Sequence, residues 1–359
     1  MNPEYIGLQS ILTTHLELSG ALVPVRFQLH APAAQSVSLI GEMTDWKLSP
    51  MPMERSADGV WHTTLRLRQG QWCYKFMVDG QFIEDPANPL KADDGWGGYH
   101  SYILIGDGDW AMRQAIPYGE IVRLEIESER LQRKVGFHVY LPPNYSMRRA
   151  YPLLVLLHGY RTQVNQWQSN GMIRQFMGNL LAQSLIEPFI IVMPDTCQRE
   201  QADDYAAFLG DDFITWLHHH FSLAAGPQFA AVAGMSQFSL SSFRLAHEYP
   251  EHFGFVAPVS AFFSNQYLSY LEQQSSLHLE AGIKLYCGTE DYVFERNERF
   301  AAILRKNGIR FDYMRINGDH TWHYWNSITR DLLIAVSEFF TGHNELIAPA
   351  DHHLDPIYE

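Results

Sequence analysis

The stretch F-A-A-V-A-G-M-S-Q-F-S-L-S-S-F-R-L-A-H-E (229–248) decides how the second half of the chain is read. An apolar run (229–233) leads into G-M-S-Q-F-S (234–239), and a helix-like segment (241–248) follows. A strand, a tight turn and a helix in that order lift a serine hydroxyl clear of the carboxyl end of a sheet. Ser236 is therefore the candidate nucleophile. The turn departs from a full G-x-S-x-G pattern, because position 238 is Phe.

Working outward, further near-continuous apolar runs alternate with longer amphipathic segments. They are P-L-L-V-L-L (152–157), F-I-I-V-M (189–193), F-V-A-P-V-S (255–260) and I-K-L-Y-C (283–287). Uninterrupted apolar strands are buried on both faces, which predicts a mostly parallel sheet covered by helices, an α/β architecture. Two alternating strands, I-V-R-L-E-I-E (121–127) and V-G-F-H-V-Y-L (135–141), precede it.

The first half has a different grammar. Short alternating strands such as V-R-F-Q-L-H (25–30), S-V-S-L-I (36–40), W-H-T-T-L-R-L (61–67) and C-Y-K-F-M-V (73–78) are separated by Ala-Pro, Ala-Asp-Gly, Arg-Gln-Gly and Val-Asp-Gly turns. That spacing predicts a small immunoglobulin-like β-sandwich. The expected organisation is an N-terminal segment (1–17), the sandwich (18–106), a linker (107–119), the α/β domain (120–345) and a polar tail (346–359).

With 359 residues, nine Trp, 18 Tyr and 21 Phe, the chain has material for two cores. Its net charge of −14, with no basic run to offset it, argues against a nucleic-acid partner. No apolar run is long enough to span a bilayer, and the N-terminus lacks the basic and apolar regions of a leader, so a cytoplasmic location is expected. Three scattered cysteines, Cys73, Cys197 and Cys287, suit a reducing compartment and lack metal-ligand spacing. H-H-H (218–220) and D-H-H (351–353) read as solvated faces, so no metal or organic cofactor is expected. The oligomeric state stays open.

A nucleophilic serine needs a base and an acid, following in that domain type from loops after later strands. G-T-E-D-Y (288–292) places Asp291 at the exit of one strand. N-G-D-H-T-W-H (317–323) places His320 after the strand-like F-D-Y-M-R-I (311–316). Glu290 and Glu295 are rival acids and His323 a rival base; Asp291 and His320 are preferred because they lie nearest the strand exits. The expected oxyanion donors are the backbone N–H groups of Gln237 and of Tyr160, in L-L-H-G-Y (156–160). His158 is expected to support that loop rather than act on substrate.

Residues 121–340 resemble the esterase family of α/β-hydrolases that includes enterochelin esterases, esterase-D-like thioesterases, and feruloyl and acetylxylan esterases. The matching pieces are V-Y-L-P-P-N-Y (139–145), L-L-H-G-Y (156–160), V-M-P-D (192–195), A-G-M-S (233–236), Y-P-E-H-F-G (249–254), G-T-E-D-Y (288–292) and G-D-H-T-W-H-Y-W (318–325). The resemblance puts Ser236, Asp291 and His320 on the family's triad positions. Family members usually carry G-x-S-x-G-G, whereas here the two last glycines are Phe238 and Ser239. A benzyl group at that place is expected to shift the helix or displace a neighbour.

Residues 23–105 resemble carbohydrate-binding module family 48, the isoamylase N-terminal type. The carriers are F-Q-L-H-A-P-A-A (27–34), V-S-L-I-G-E-M-T-D-W (37–46), W-C-Y-K-F-M-V-D-G (72–80) and D-P-A-N-P (85–89). The resemblance implies a glycan contact through Trp46 and Lys75, with Phe82 where a second tryptophan often lies. It equally admits a domain that only packs and shapes. Together the two resemblances imply a carboxylic-ester hydrolase working through an acyl-Ser236 intermediate on a small-molecule or oligosaccharide ester, an acylated sugar or a siderophore-like compound. The alternative is a weakened hydrolase fold serving as a glycan-binding or interaction protein.

Overall fold

The computed structural model describes residues 22–342, apart from 45, 47–49, 95–97, 107, 110, 112–115, 160–163, 196–201 and 275–276. The expected N-terminal segment and tail, with the 351–353 histidines, lie outside the described residues. The chain divides into two compact units, Met1–Met112 and Arg113–Glu359.

The first unit is all β. Its strands are β1 (Val23–His30), β2 (Val37–Gly41), β3 (Met51–Pro52), β4 (Glu54–Arg55), β5 (Val60–Leu67), β6 (Gly70–Val78), β7 (Gln81–Ile83), β8 (Lys91–Asp93) and β9 (Tyr99–Ile105). One sheet has the order β1-β5-β4; the other runs β3-β2-β6-β9-β8, with β7 added to β6. All pairings in both are antiparallel. β1 shows why the pattern was readable: Val23, Val25, Phe27 and Leu29 are buried while the residues between them are exposed. Those side chains join Leu39, Tyr74, Phe76 and Ile105 in one core. Alternation of this kind is what a sheet with one buried face demands. The short strands β3, β4, β7 and β8 carry too few residues to give such a signal.

The second unit holds an eight-stranded sheet, preceded along the chain by the hairpin that starts it. Its strands are β10 (Glu120–Ser128), β11 (Arg133–Leu141), β12 (Leu153–Leu157), β13 (Ile190–Pro194), β14 (Ala230–Met235), β15 (Phe255–Val259), β16 (Gly282–Gly288) and β17 (Asp312–Ile316). The order is β10-β11-β13-β12-β14-β15-β16-β17. β10 and β11 pair antiparallel, β11 pairs antiparallel with β13, and from β13 to β17 every pairing is parallel. β12, β13, β14 and β15 are buried along their whole length, as their unbroken apolar sequences require.

Helices α1 (Gln166–Ser169), α2 (Ile173–Ala182), α3 (Ala202–Ala207), α4 (Ile214–His220), α5 (Phe238–Glu248), α6 (Asn265–Gln273), α7 (Phe294–Lys306) and α8 (Trp322–Thr341) connect and cover the strands. A π-helical turn, Phe208–Phe213, joins α3 to α4. Helix α5 begins at Phe238, three residues earlier than the sequence pattern suggests. No helix among the described residues is long and apolar enough to cross a membrane. The fold therefore matches the sequence expectation of an α/β-hydrolase sheet preceded by a β-sandwich.

His100, on β9, is a weak point of the first unit at low pH. Its ring lies 4.2 Å from that of Trp46, and its buried Nδ1 has no hydrogen-bond partner among the described residues. Burial, helped by the Lys75 charge and opposed by Asp94, pushes its pKa down to about 4. The unfolded chain then binds the proton more tightly than the native one, so stability falls as pH drops from about 6.5 towards 4, by up to ~3 kcal/mol. His100→Phe should lose less stability than wild type between neutral pH and pH ~4.5 in denaturant titrations; equal losses would contradict this assignment.

Candidate active site

The site is assembled where the parallel strands end. β14 delivers Ser236, which sits at φ 56° in the left-handed region. Side chains rarely take that conformation, and it is the bend that turns the hydroxyl outward. Neighbouring backbone holds it: the Ser236 N–H donates to the Val259 carbonyl at 2.9 Å, and the Ser236 carbonyl accepts from the Phe262 N–H at 2.9 Å. Gly234 permits the turn, since a Cβ there would collide with the Phe238 carbonyl.

Phe238 does not lift α5 away from the sheet. Its carbonyl faces Gly234, while its ring packs edge-on at 6.0 Å from Tyr205 and 6.4 Å from His158. The ring is buried in the main apolar core, and Ser236 stays partly exposed. The expected shift of the helix is thus replaced by a ring turned off the strand. Ser239, at the other missing glycine, is fully buried and places its hydroxyl 2.8 Å from both the Gly234 and the Val259 carbonyls. It therefore staples the elbow to β15.

The structure brings Ser236, His320 and Asp291 together. His320 Nε2 lies 2.8 Å from Ser236 Oγ, and His320 Nδ1 lies 2.9 and 3.0 Å from the two Asp291 oxygens. The Asp291 side chain is wholly buried and also accepts from the Val293 N–H at 3.0 Å. A desolvated carboxylate needs such partners. The rivals stand elsewhere: Glu290 is exposed and accepts from Asn317 Nδ2, Glu295 is exposed on the first turn of α7, and His323 lies on α8.

The loops carrying Asp291 and His320 are laced to each other. Thr289 N–H donates to the Ile316 carbonyl and Glu290 N–H to the Gly318 carbonyl, both at 3.0 Å. Gly288 lets them meet, because a Cβ there would strike the Gly318 carbonyl. Aromatic rings then bracket the imidazole: Tyr292 at 4.6 Å and Trp325, edge-on, at 5.1 Å. Trp325 is fixed by its own N–H, which donates to Ser260 Oγ at 3.1 Å.

Of the expected oxyanion donors, the exposed Gln237 stands at the N-cap of α5, where the first backbone amides of a helix are ordinarily left unpaired. Tyr160 lies outside the described residues. His158 is fully buried, with Nε2 at 3.7 Å from Asp195, as a loop-supporting residue should be. Cys73 and Cys287 are buried and Cys197 lies outside the described residues. His219 and His220 bond backbone carbonyls of their own helix, and no cluster of metal-ligating side chains occurs among the described residues.

Sequence reading missed Tyr292, Trp325 and Arg296. Tyr292 is 68% exposed, with its ring 4.6 Å from that of His320. Its place directly after Asp291 was the available signal. Trp325 and Arg296 offered only helix spacing from His320 and Asp291, which says nothing about a loop's final direction.

In the first unit, Lys75 and Met77 point to one face of β6, and Phe82 on β7 stands opposite Met77 on that face. Trp46, its ring 4.2 Å from that of His100 and tilted to it, joins them through β9, next to β6. Lys75 Nζ is paired with Asp94 at 2.9 Å, and Phe82 is 48% exposed.

A serine at a tight strand-to-helix turn, with a carboxylate and an imidazole brought to it from later strand exits of a mostly parallel sheet, is the layout of an α/β-hydrolase fold. The Esterase family model, described as "Putative esterase", matches residues 128–333, more than half of the chain, and the chain belongs to that family. Residues 18–94 match carbohydrate-binding module 48, the isoamylase N-terminal domain. An endo-1,4-beta-xylanase/feruloyl esterase of Xylanibacter ruminicola is 26% identical over 258 residues, 64% of this chain; the chain spans 34% of that relative's length. The enterobactin esterase of Shigella flexneri has a similar fold, with TM-score 0.70 and 19% identity over 90% of this chain and 95% of that one. A ferulic acid esterase superposes with TM-score 0.58 and 22% identity over 62% of this chain and 99% of its own.

Gly288→Ala should therefore leave the fold standing but push the Asp291 and His320 loops apart, lowering esterase kcat by about a hundredfold. Steady-state kinetics beside a thermal melt check this; an unchanged kcat would contradict the close-approach argument.

Proposed function

We propose that the chain hydrolyses carboxylic esters through an acyl-Ser236 intermediate. His320 takes the Ser236 proton as Oγ attacks the ester carbonyl, then gives it to the departing alcohol. The Gln237 N–H, with a second donor from the loop after β12, faces the developing oxyanion. In the second half of the cycle, His320 takes a proton from water as the water oxygen bonds to the acyl carbon, and returns it to Ser236 Oγ as the acyl–Oγ bond breaks and the acid leaves. Asp291, buried and bonded to Nδ1, holds the imidazole in the tautomer that leaves Nε2 ready to accept.

The observation that carries this reading is the 2.8 Å contact between His320 Nε2 and Ser236 Oγ, with Asp291 closing the line behind it. Hydrolysis of p-nitrophenyl acetate should fall at least about a thousandfold in Ser236→Ala. Equal rates in wild type and variant would support the non-catalytic alternative instead.

The substrate class we favour is an acylated sugar or a siderophore-like ester. Membership of the Esterase family supports an ester, and the match to carbohydrate-binding module 48 supports a sugar. On this reading the Trp46, Lys75 and Phe82 face contacts the glycan, with Phe82 presenting the open ring. Retention on an immobilised glycan should weaken in both Trp46→Ala and Phe82→Ala; unchanged retention in both would leave the sandwich a packing and shaping domain.

A further inference from the structure

Arg296 is a cation without a counter-ion among the described residues of a strongly acidic protein. It sits on the first turn of α7, five residues after Asp291, and is partly buried. Its guanidinium carbon sits over the Phe262 ring, 4.3 Å from the centroid. Its Nη1 is shielded from solvent and has no hydrogen-bond partner, and no carboxylate lies within ion-pair distance of it among the described residues. On and beside this helix, Arg299 pairs with Glu272 and Arg315 with Glu298. A shielded guanidinium edge without an acceptor is costly, and a buried donor of this kind calls for a partner.

Its location says what the partner is. Phe262, on which Arg296 rests, donates its backbone N–H to the Ser236 carbonyl. Tyr292, four residues earlier, lies against His320, the partner of the Ser236 hydroxyl. Desolvation and the Asp291 carboxylate push the Tyr292 phenol up, while the Arg296 charge and Ser236 act the other way. Arg296 thus rests on the residue that bonds the Ser236 carbonyl, four positions after the ring that lies against His320. A guanidinium with an unpaired N–H suits a planar, two-oxygen acceptor.

We propose that Arg296 and Tyr292 form an anion-accepting subsite beside Ser236, and that the ester cleaved here carries a carboxylate on its acyl or its alcohol half. This rests on the assignment of Ser236 as nucleophile. It adds a preference, among the esters cleaved, for those that carry an anionic group.

Two matched pairs of esters test it. On the acyl side, p-nitrophenyl hydrogen adipate is compared with p-nitrophenyl hexanoate; on the alcohol side, 3-acetoxybenzoate is compared with its methyl ester. The charged member should be preferred in one pair, and that pair identifies the half that bears the carboxylate. The ratio of kcat/KM, charged over neutral, should drop about tenfold to a hundredfold in Arg296→Met and be partly kept in Arg296→Lys. Ratios unmoved by Arg296→Met in both pairs, with wild type active and Ser236→Ala inactive, overturn the subsite and leave the hydrolase standing. If no ester is cleaved at all, the nucleophile assignment fails, and calorimetric binding of 3-acetoxybenzoate to Ser236→Ala decides the subsite alone. Binding abolished by adding Arg296→Met supports it; equal or absent binding in both proteins overturns it.

Discussion

The hydrolase unit depends on one backbone torsion, the positive φ of Ser236. Left-handed serine costs of order 1–3 kcal/mol, so the surroundings must over-determine it. They do so from both sides. The end of β15 and the residues after it bond the Ser236 N–H and carbonyl, Gly234 allows α5 to close over β14, and the buried Ser239 hydroxyl reaches the carbonyls of Gly234 and Val259. The usual glycines of this turn supply closeness by absence of side chain. Here a hydroxyl and a ring turned outward from the strand reach the same end. The substitution that looked most damaging in the sequence is absorbed by the direction of a Cα–Cβ bond, which a string of letters does not display.

Much of the architecture was legible because burial leaves a periodic trace. β1 alternates strictly, and β12 through β15 run apolar without a break, so sandwich and parallel sheet announce themselves. The two-residue strands β3 and β4 and the π-turn at Phe208–Phe213 left no period to read. Ser236, Asp291 and His320 were readable because strand exits in a parallel sheet all open on one edge. Tyr292 and Arg296 were not, because their relevance comes from where the first turn of α7 points after the Asp291 loop has folded.

The site is also a lesson in how positioning is divided. Asp291 is buried and committed to His320 and Val293; the loops around it are joined through backbone bonds, and Trp325 walls the imidazole. These are rigid elements whose amide and aromatic contacts are made before substrate arrives. Tyr292, by contrast, is exposed, and Arg296 keeps a shielded N–H without a partner among the described residues. A preorganised reacting core beside an unsatisfied rim is the arrangement expected when the chemistry is general and the choice of substrate is made next to it.

The central claim is that this serine forms bonds with electrophiles despite the aromatic neighbour two places on. A p-nitrophenyl alkylphosphonate reports it directly, since attack by Oγ expels p-nitrophenolate and leaves a stable phosphonyl adduct. Mass spectrometry of the digested protein should find one adduct per chain, on the peptide that contains Ser236, and almost none after His320→Ala. An unlabelled Ser236 peptide in wild type, or labelling that ignores His320, would contradict the account.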